Sequence, residues 1–282
     1  MSLFDEKTRS KIVLVGSMHY NPHSINLAKD VVEREAAKGR LRAVAVESCE
    51  TRWNYTLNTQ PAGSFLRSLC DNEMQSGSEA AEAAGASVVL ADQTIEDTGA
   101  RISQLAALTL VELLTPWNGG WSRIAEDLQA GFAQLTVGED VAGIGPSALL
   151  NPWLVAGLPL SFIRYPLSIG LKSPQVLLAL LALLSLPFAA DQALNTDPLL
   201  LEEITDAEAA KELLGSVAFA FVETVVIGRV FLIALLEERN FVLARNIRRA
   251  CLTTKPGGTV VAVMGMAHCN GVMRVLRESR VV

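Results

Sequence analysis

The sequence predicts an α/β fold: a mainly parallel central sheet flanked by helices, with an α-helical apolar insertion. Three observations carry this. Strand-like apolar runs alternate with helical patterns, as in KIVLVG (11–16), LRAVAVES (41–48), ASVVLAD (86–92) and TVVAVMG (259–265). The first two runs flank a helical pattern, a βαβ unit whose strands are parallel and whose crossover is right-handed. The chain has 282 residues, and AVILMFWYC make up 50 % of them, enough for a sizeable core. It reads as a single domain over 1–282 with the insertion at 144–205.

In chain order, the loop SMHYNPH follows the first run. Ser24 is the expected N-cap of a helix over about 25–38, whose buried face is Ile25, Ala28, Val31, Val32 and Glu35, with Gly39 at its C-terminal end. Residues 61–84 read as a small-residue-rich helix. After the third strand a helix runs to about 114, WNGGW (117–121) is a turn, and another helix spans about 121–136. From Ile144 to Ala190 the only charges are Arg164 and Lys172, and six prolines cut the stretch into short pieces. Its longest uninterrupted part, QVLLALLALLSL, falls short of the ~20 residues a membrane span needs. Two readings follow: a buried helical hairpin or lid, and a membrane-contacting segment. An acidic linker (196–212) leads into a long helix over about 206–252. That helix is apolar over 217–236 except for Glu223 and Arg229; 213–236 is a second candidate for membrane contact, though a span would bury two charges at a cost of several kcal/mol. The last strand and a last helix close the chain.

Charge excludes one class of partner. With 24 basic against 30 acidic residues, net −6, the chain lacks the clustered positive surface that nucleic acid requires. The four cysteines show no CxxC spacing and read as reduced thiols. The start MSLFDEKTRSK has no apolar core, so no secretory signal is expected and the location reads as intracellular.

Two of the three histidines stand in the same context. Gly16 and His19, and Gly265 and His268, each form a GxxH at the end of an apolar strand. The glycine lets the chain turn off the strand and lets backbones approach. Glu47 and Asp92 end two further strands. In an open parallel sheet the carboxyl ends of the strands share one edge, where ligands bind. Two imidazoles and a carboxylate suit a divalent transition metal (zinc, manganese or cobalt) with an open water position. Each residue also has a structural reading. A strand-end histidine is commonly a hydrogen-bonded structural residue. Glu47 needs a partner if buried, with Arg52 or Arg42 as candidates. Asp92 reads more readily as a cap or turn residue than as a ligand. Arg52, Arg101, Arg239 and Arg245 are either surface charges or groups that orient the acids and bind an anionic substrate. A Cys269–His268 dyad is disfavoured because adjacent residues point different ways, and Ser17 lacks the context of a nucleophile.

These residues resemble the TraB/PrgY-like family, within the wider group that includes the Tiki proteases and the ChaN-like proteins. The resemblance runs through Gly16–His19, through Val44, Val46, Glu47 and Arg52, through Asp92 and Arg101, through Glu238, Arg239 and Asn240, and through Gly265, His268 and Gly271. The chain departs from the family pattern at Ser48, Cys49 and Gln93, and the apolar 144–190 stretch has no counterpart. The resemblance implies a metal-dependent peptidase or hydrolase with His19, Glu47 and His268 as ligands and catalytic groups, acting on a peptide or small molecule. Arg52, Asp92, Arg101, Arg239 and Asn240 would orient these groups or bind substrate. Other family members imply a non-catalytic alternative, a regulatory or tethering protein at an organelle membrane. A third reading is haem or metal binding without turnover. A homo-oligomer is compatible with all three.

Overall fold

The computed structural model describes residues 1–136, 143–172, scattered positions between 174 and 185, 206–253 and 257–278. The later part of the expected insertion and most of the acidic linker lie outside these residues. The α/β expectation holds. Five strands form one sheet in the order β1-β2-β5-β3-β4: β1 (Ser2–Asp5), β2 (Ser10–Ser17), β3 (Leu41–Val46), β4 (Ser87–Leu90) and β5 (Thr259–Gly265). β1 runs antiparallel to β2, and the other pairings are parallel. The sequence did not announce β1, because SLFD is short and half exposed. β2 and β3 are parallel as expected, but β5 lies between them.

The sheet is buried on both faces, which explains its near-continuous apolar runs. One face packs against α1 (Pro22–Ala37) and, beyond the short α2 (Glu50–Thr59) and α3 (Phe65–Leu69), against α4 (Glu73–Ala83). α1 buries the predicted Ile25–Glu35 face, but it begins earlier than predicted. Asn21 caps it by accepting the His23 N–H, and Pro22, pre-set for the first helical position, opens it. Ser24 instead accepts the Met18 N–H. The helix expected over 61–84 is two helices, because Ser64 and Asn72 each accept an amide three residues on and start a new one. Past β4 come α5 (Ile95–Leu114), α6 (Gly120–Ala133) and α7 (Pro152–Lys172). The long helix is α8 (Asp206–Arg229), a π-helical stretch (230–237) and α9 (Glu238–Thr253), followed after β5 by α10 (Met266–Arg277). α9 and α10 cover the second face of the sheet. The helix after β2 and the helix after β5 thus leave adjacent strands toward opposite faces, which opens a crevice at the strand ends.

Two expectations about the apolar segments change. Pro159 and Pro166 do not cut the chain; both lie inside α7. Each proline removes one helical hydrogen bond, and side chains from elsewhere hold the helix in place: Asn21 donates to the Leu154 carbonyl, and Tyr55 donates to that of Leu171. Nor is α7 a buried hairpin, since Trp153, Phe162 and Ile163 are exposed. Among the described residues two helices are long and apolar enough to cross a membrane, Pro152–Leu171 and Leu213–Thr253, and only 22 % and 28 % of their apolar windows are buried. A core helix would be mostly buried.

Arg229 marks where the second of these helices joins the folded body. Its guanidinium is buried and pairs with Glu112 on α5 (2.5 Å) and Asp127 on α6 (2.6 Å). Replacing Arg229 with Leu leaves Glu112 buried with only Arg123 as counter-charge, at a cost of about 3 kcal/mol. Chemical denaturation should show this loss, and Arg229→Leu combined with Glu112→Leu should recover most of it.

Candidate functional site

β2 and β5 pair with Gly16 opposite Met264 and Ser17 opposite Gly265, so both GxxH segments leave adjacent strands at one level. The glycines let them touch. A Cβ on Gly265 would lie 3.2 Å from both His19 Nε2 and Glu47 Oε2, and one on Gly16 would lie 3.0 Å from Cys269 Sγ. Neither glycine has a positive φ, so their role is close approach rather than the tight turn inferred from sequence. The left-handed residue here is Tyr20 (φ 61), whose N–H donates to Glu73 Oε2 (3.1 Å). The two units also differ in form. His19 lies in a loop after β2, whereas His268 lies in the first turn of α10, which starts directly after Gly265.

Each imidazole is held at Nδ1. Glu73 Oε1 lies 2.6 Å from that of His19, and Asn240 Oδ1 lies 2.8 Å from that of His268. His268 Nε2 is 3.3 Å from Glu47 Oε1, and His19 Nε2 and Glu47 Oε2 both lie beside Gly265. Glu47 Oε2 also accepts the Gly265 N–H (2.6 Å), and Oε1 accepts from Arg239 (2.5 Å). Arg239 continues to Asp92, which also takes Arg52. The buried partner of Glu47 is therefore Arg239, not Arg52 or Arg42. Asp92 does more than end its strand: it holds both arginines and accepts the Gln93 N–H.

Burial alone would raise the Glu47 pKa. The charge and hydrogen bond of His268, then Arg239 and His19, outweigh it and hold the carboxyl well below the usual range. Burial likewise pushes the His19 pKa down, but Glu73, by charge and hydrogen bond, and Glu47 carry it to about 9. Burial pushes the Cys269 thiol up to about 12, which removes it as a nucleophile. Ser17 donates to Glu73 and to the Met264 carbonyl.

Of the predicted residues, the structure brings together His19, Glu47, Arg52, Asp92, Arg239, Asn240 and His268. It leaves Arg101 out: that side chain pairs with Glu238 (2.7 Å) at the α5–α9 contact and does not line the cavity. Sequence reasoning missed Glu73. It is the first residue of α4, where an acid reads as a helix-terminus charge; its only sequence signal is the Asn72 cap that places it. Gly271, after the second GxxH, leaves the space that the Asn240 amide occupies.

The donor set is two imidazole Nε2 atoms and a carboxylate, with both Nδ1 atoms tied to partners as in metal-bound histidines. In the described conformation His268 pairs with Glu47 and His19 with Glu73, and among the described residues no three His, Cys, Asp or Glu side chains are spaced to hold a metal ion. His19, Glu47, Arg52, Glu73 and Arg239 line a cavity of about 230 Å³, and His268 lies behind Glu47 rather than in its lining. The chain matches no family model, no curated protein and no solved structure.

In the metal-free protein, NMR titration should find His19 near pH 9, and Glu73→Gln should move it down, since burial then acts with less opposition. The raised pKa makes this pair stabilising below about pH 6.5, with the contribution lost as pH rises through about 9. A His19 titration unmoved by Glu73→Gln would contradict the pairing.

Proposed function

We propose that the chain is a metal-dependent hydrolase of peptide-like substrates, with His19, Glu47 and His268 as metal ligands. The observation that supports this most is that both GxxH imidazoles lie at the strand ends beside Glu47 with their Nδ1 atoms tied off. Two histidines and a carboxylate suit zinc, manganese or cobalt and leave positions for water and substrate. Such an ion would lower the pKa of bound water and polarise a carbonyl.

The protein's own groups bind and orient. The depressed pKa of Glu47 suits a ligand better than a general base, which works best near the ambient pH. Glu73 and Asn240 fix the two rings, and Arg239 fixes Glu47 against Asp92. Arg52 lines the cavity with its side chain a third exposed, placed to take an anionic substrate group. The ordered resemblance to TraB/PrgY-like proteins supports the same reading. Haem fits less well, because about 230 Å³ is below the ~300–1,000 Å³ of sites for larger ligands.

Metal analysis of purified protein should find about one ion per chain, lost in the His19→Ala/His268→Ala double variant. Glu73→Gln should weaken metal affinity by about 10- to 100-fold through the freed imidazole. Unchanged stoichiometric metal in the double variant would reject the site.

A second reading, a membrane-associated regulatory or tethering protein inside the cell, rests on a separate observation. α8 exposes Leu213, Leu214, Val217, Phe219 and Phe221, and the nearby helices expose Leu114, Trp117 and Trp121. Apolar side chains exposed on this scale favour lipid or a partner. Extraction of native membranes with alkaline carbonate should leave the chain in the pellet; complete release would end the case for insertion.

A further inference from the structure

α7 forms one wall of the cavity that holds the charged cluster. It contributes Tyr165 and Ile169, which with Trp53 on α2 and Met74 on α4 make an apolar rim. The acidic members are deep, with Glu47 and Glu73 buried; the rim is partly open, with Tyr165 47 % exposed. The Tyr165 ring lies nearly parallel to the His19 imidazole, centroids 6.1 Å apart at 18°, and meets Tyr20 edge-on at 5.8 Å. The wall is held in place. Tyr20 Oη and Ser168 Oγ share a hydrogen bond (2.6 Å), and Tyr55 and Asn21 bond to the α7 carbonyls at Leu171 and Leu154. Gly157 lets α7 approach, since a Cβ there would sit 2.6 Å from the Asn21 amide.

We propose that this rim is a specificity subsite for one large apolar side chain of the substrate, with Tyr165 and Ile169 as its selecting residues. The proposal rests on the reading of the cluster as a hydrolytic centre for peptides. Its basis is the juxtaposition of a half-open aromatic and aliphatic wall with a buried charged centre. A side chain entering there would cover the exposed part of Tyr165 and stack between rings, a favourable geometry for aromatics. The adjacent charged groups then meet the peptide unit beside that side chain. The cavity has room for a side chain and its flanking amides, not for a larger ligand. The selectivity would come from the apolar stretch that has no counterpart in the family pattern.

Calorimetric titration with N-acetyl-phenylalanine amide, N-acetyl-leucine amide and N-acetyl-glycine amide tests the subsite without requiring turnover. The first two should bind at least about tenfold tighter than the third, the scale of apolar side-chain discrimination in a pocket. Tyr165→Ala and Ile169→Trp, the latter filling the slot, should each erase most of that preference, while Tyr165→Phe should keep it; circular dichroism confirms that each variant is folded. Equal binding of the three amides, no measurable binding of any, or a preference unmoved by both Tyr165→Ala and Ile169→Trp would overturn the subsite. Peptide cleavage assays separate the two ideas. Selective binding with no cleavage of any peptide in the metal-loaded protein would overturn the hydrolase reading alone, and cleavage indifferent to the side chain would overturn the subsite alone.

Discussion

The buried carboxylate of Glu47 is the point to which the rest of the site is tied. Removing a charged carboxylate from water costs several kcal/mol, and it persists there only with partners of matching geometry. Its partners come from three separate elements: a backbone N–H at the end of β5, a guanidinium on α9 and an imidazole on α10. Satisfying this one side chain therefore ties α9 and α10 to the sheet edge. The second ring of contacts follows from it. Arg239 must be neutralised further and finds Asp92; Asp92 in turn holds Arg52. A single buried charge has become a chain of alternating charges across the strand ends.

Much of this was legible in the sequence, for identifiable reasons. Buried parallel strands leave continuous apolar runs, and those of β2, β3, β4 and β5 stand out against the helices between them. Some of the candidate residues stand out because they end such a run, as Glu47 and Asp92 do. Glu73 left no such mark. It sits at a helix start, where acids are ordinary, and only the fold brings it to within 2.6 Å of His19. Arg101 shows the opposite error: its sequence position matched a pattern, but α5 carries it to Glu238. The prolines of α7 misled because proline weakens a helix in isolation, whereas tertiary hydrogen bonds at its two ends hold this one together. The register of α1 was misjudged by a few residues, because Asn-Pro is a stronger helix start than a serine two positions on.

The apolar segments and the charged site are not independent features. α7 turns one face toward the cluster and the other outward, so the same helix lines the cavity and displays Trp153, Phe162 and Ile163. The buried Arg229 network anchors the C-terminal end of α8 while its earlier residues stay exposed. Charge is used inside to hold helices together; apolar surface is left outside on the same helices. The apolar core of the sheet is of the usual kind; it is the outward faces of these helices that carry unusually large apolar exposure.

The strand order has a consequence in time. β2 and β3 are formed early in the chain, yet neither pairs with the other; both pair with β5, whose residues begin at position 259. During synthesis the N-terminal strands therefore have a vacant lane between them until nearly the whole chain has been made. Glu47 and His19 cannot acquire their common neighbours before that lane is filled. Contacts separated by more than two hundred residues form slowly, and a chain that stops before residue 259 lacks the central strand and the Gly265 and His268 contacts of Glu47.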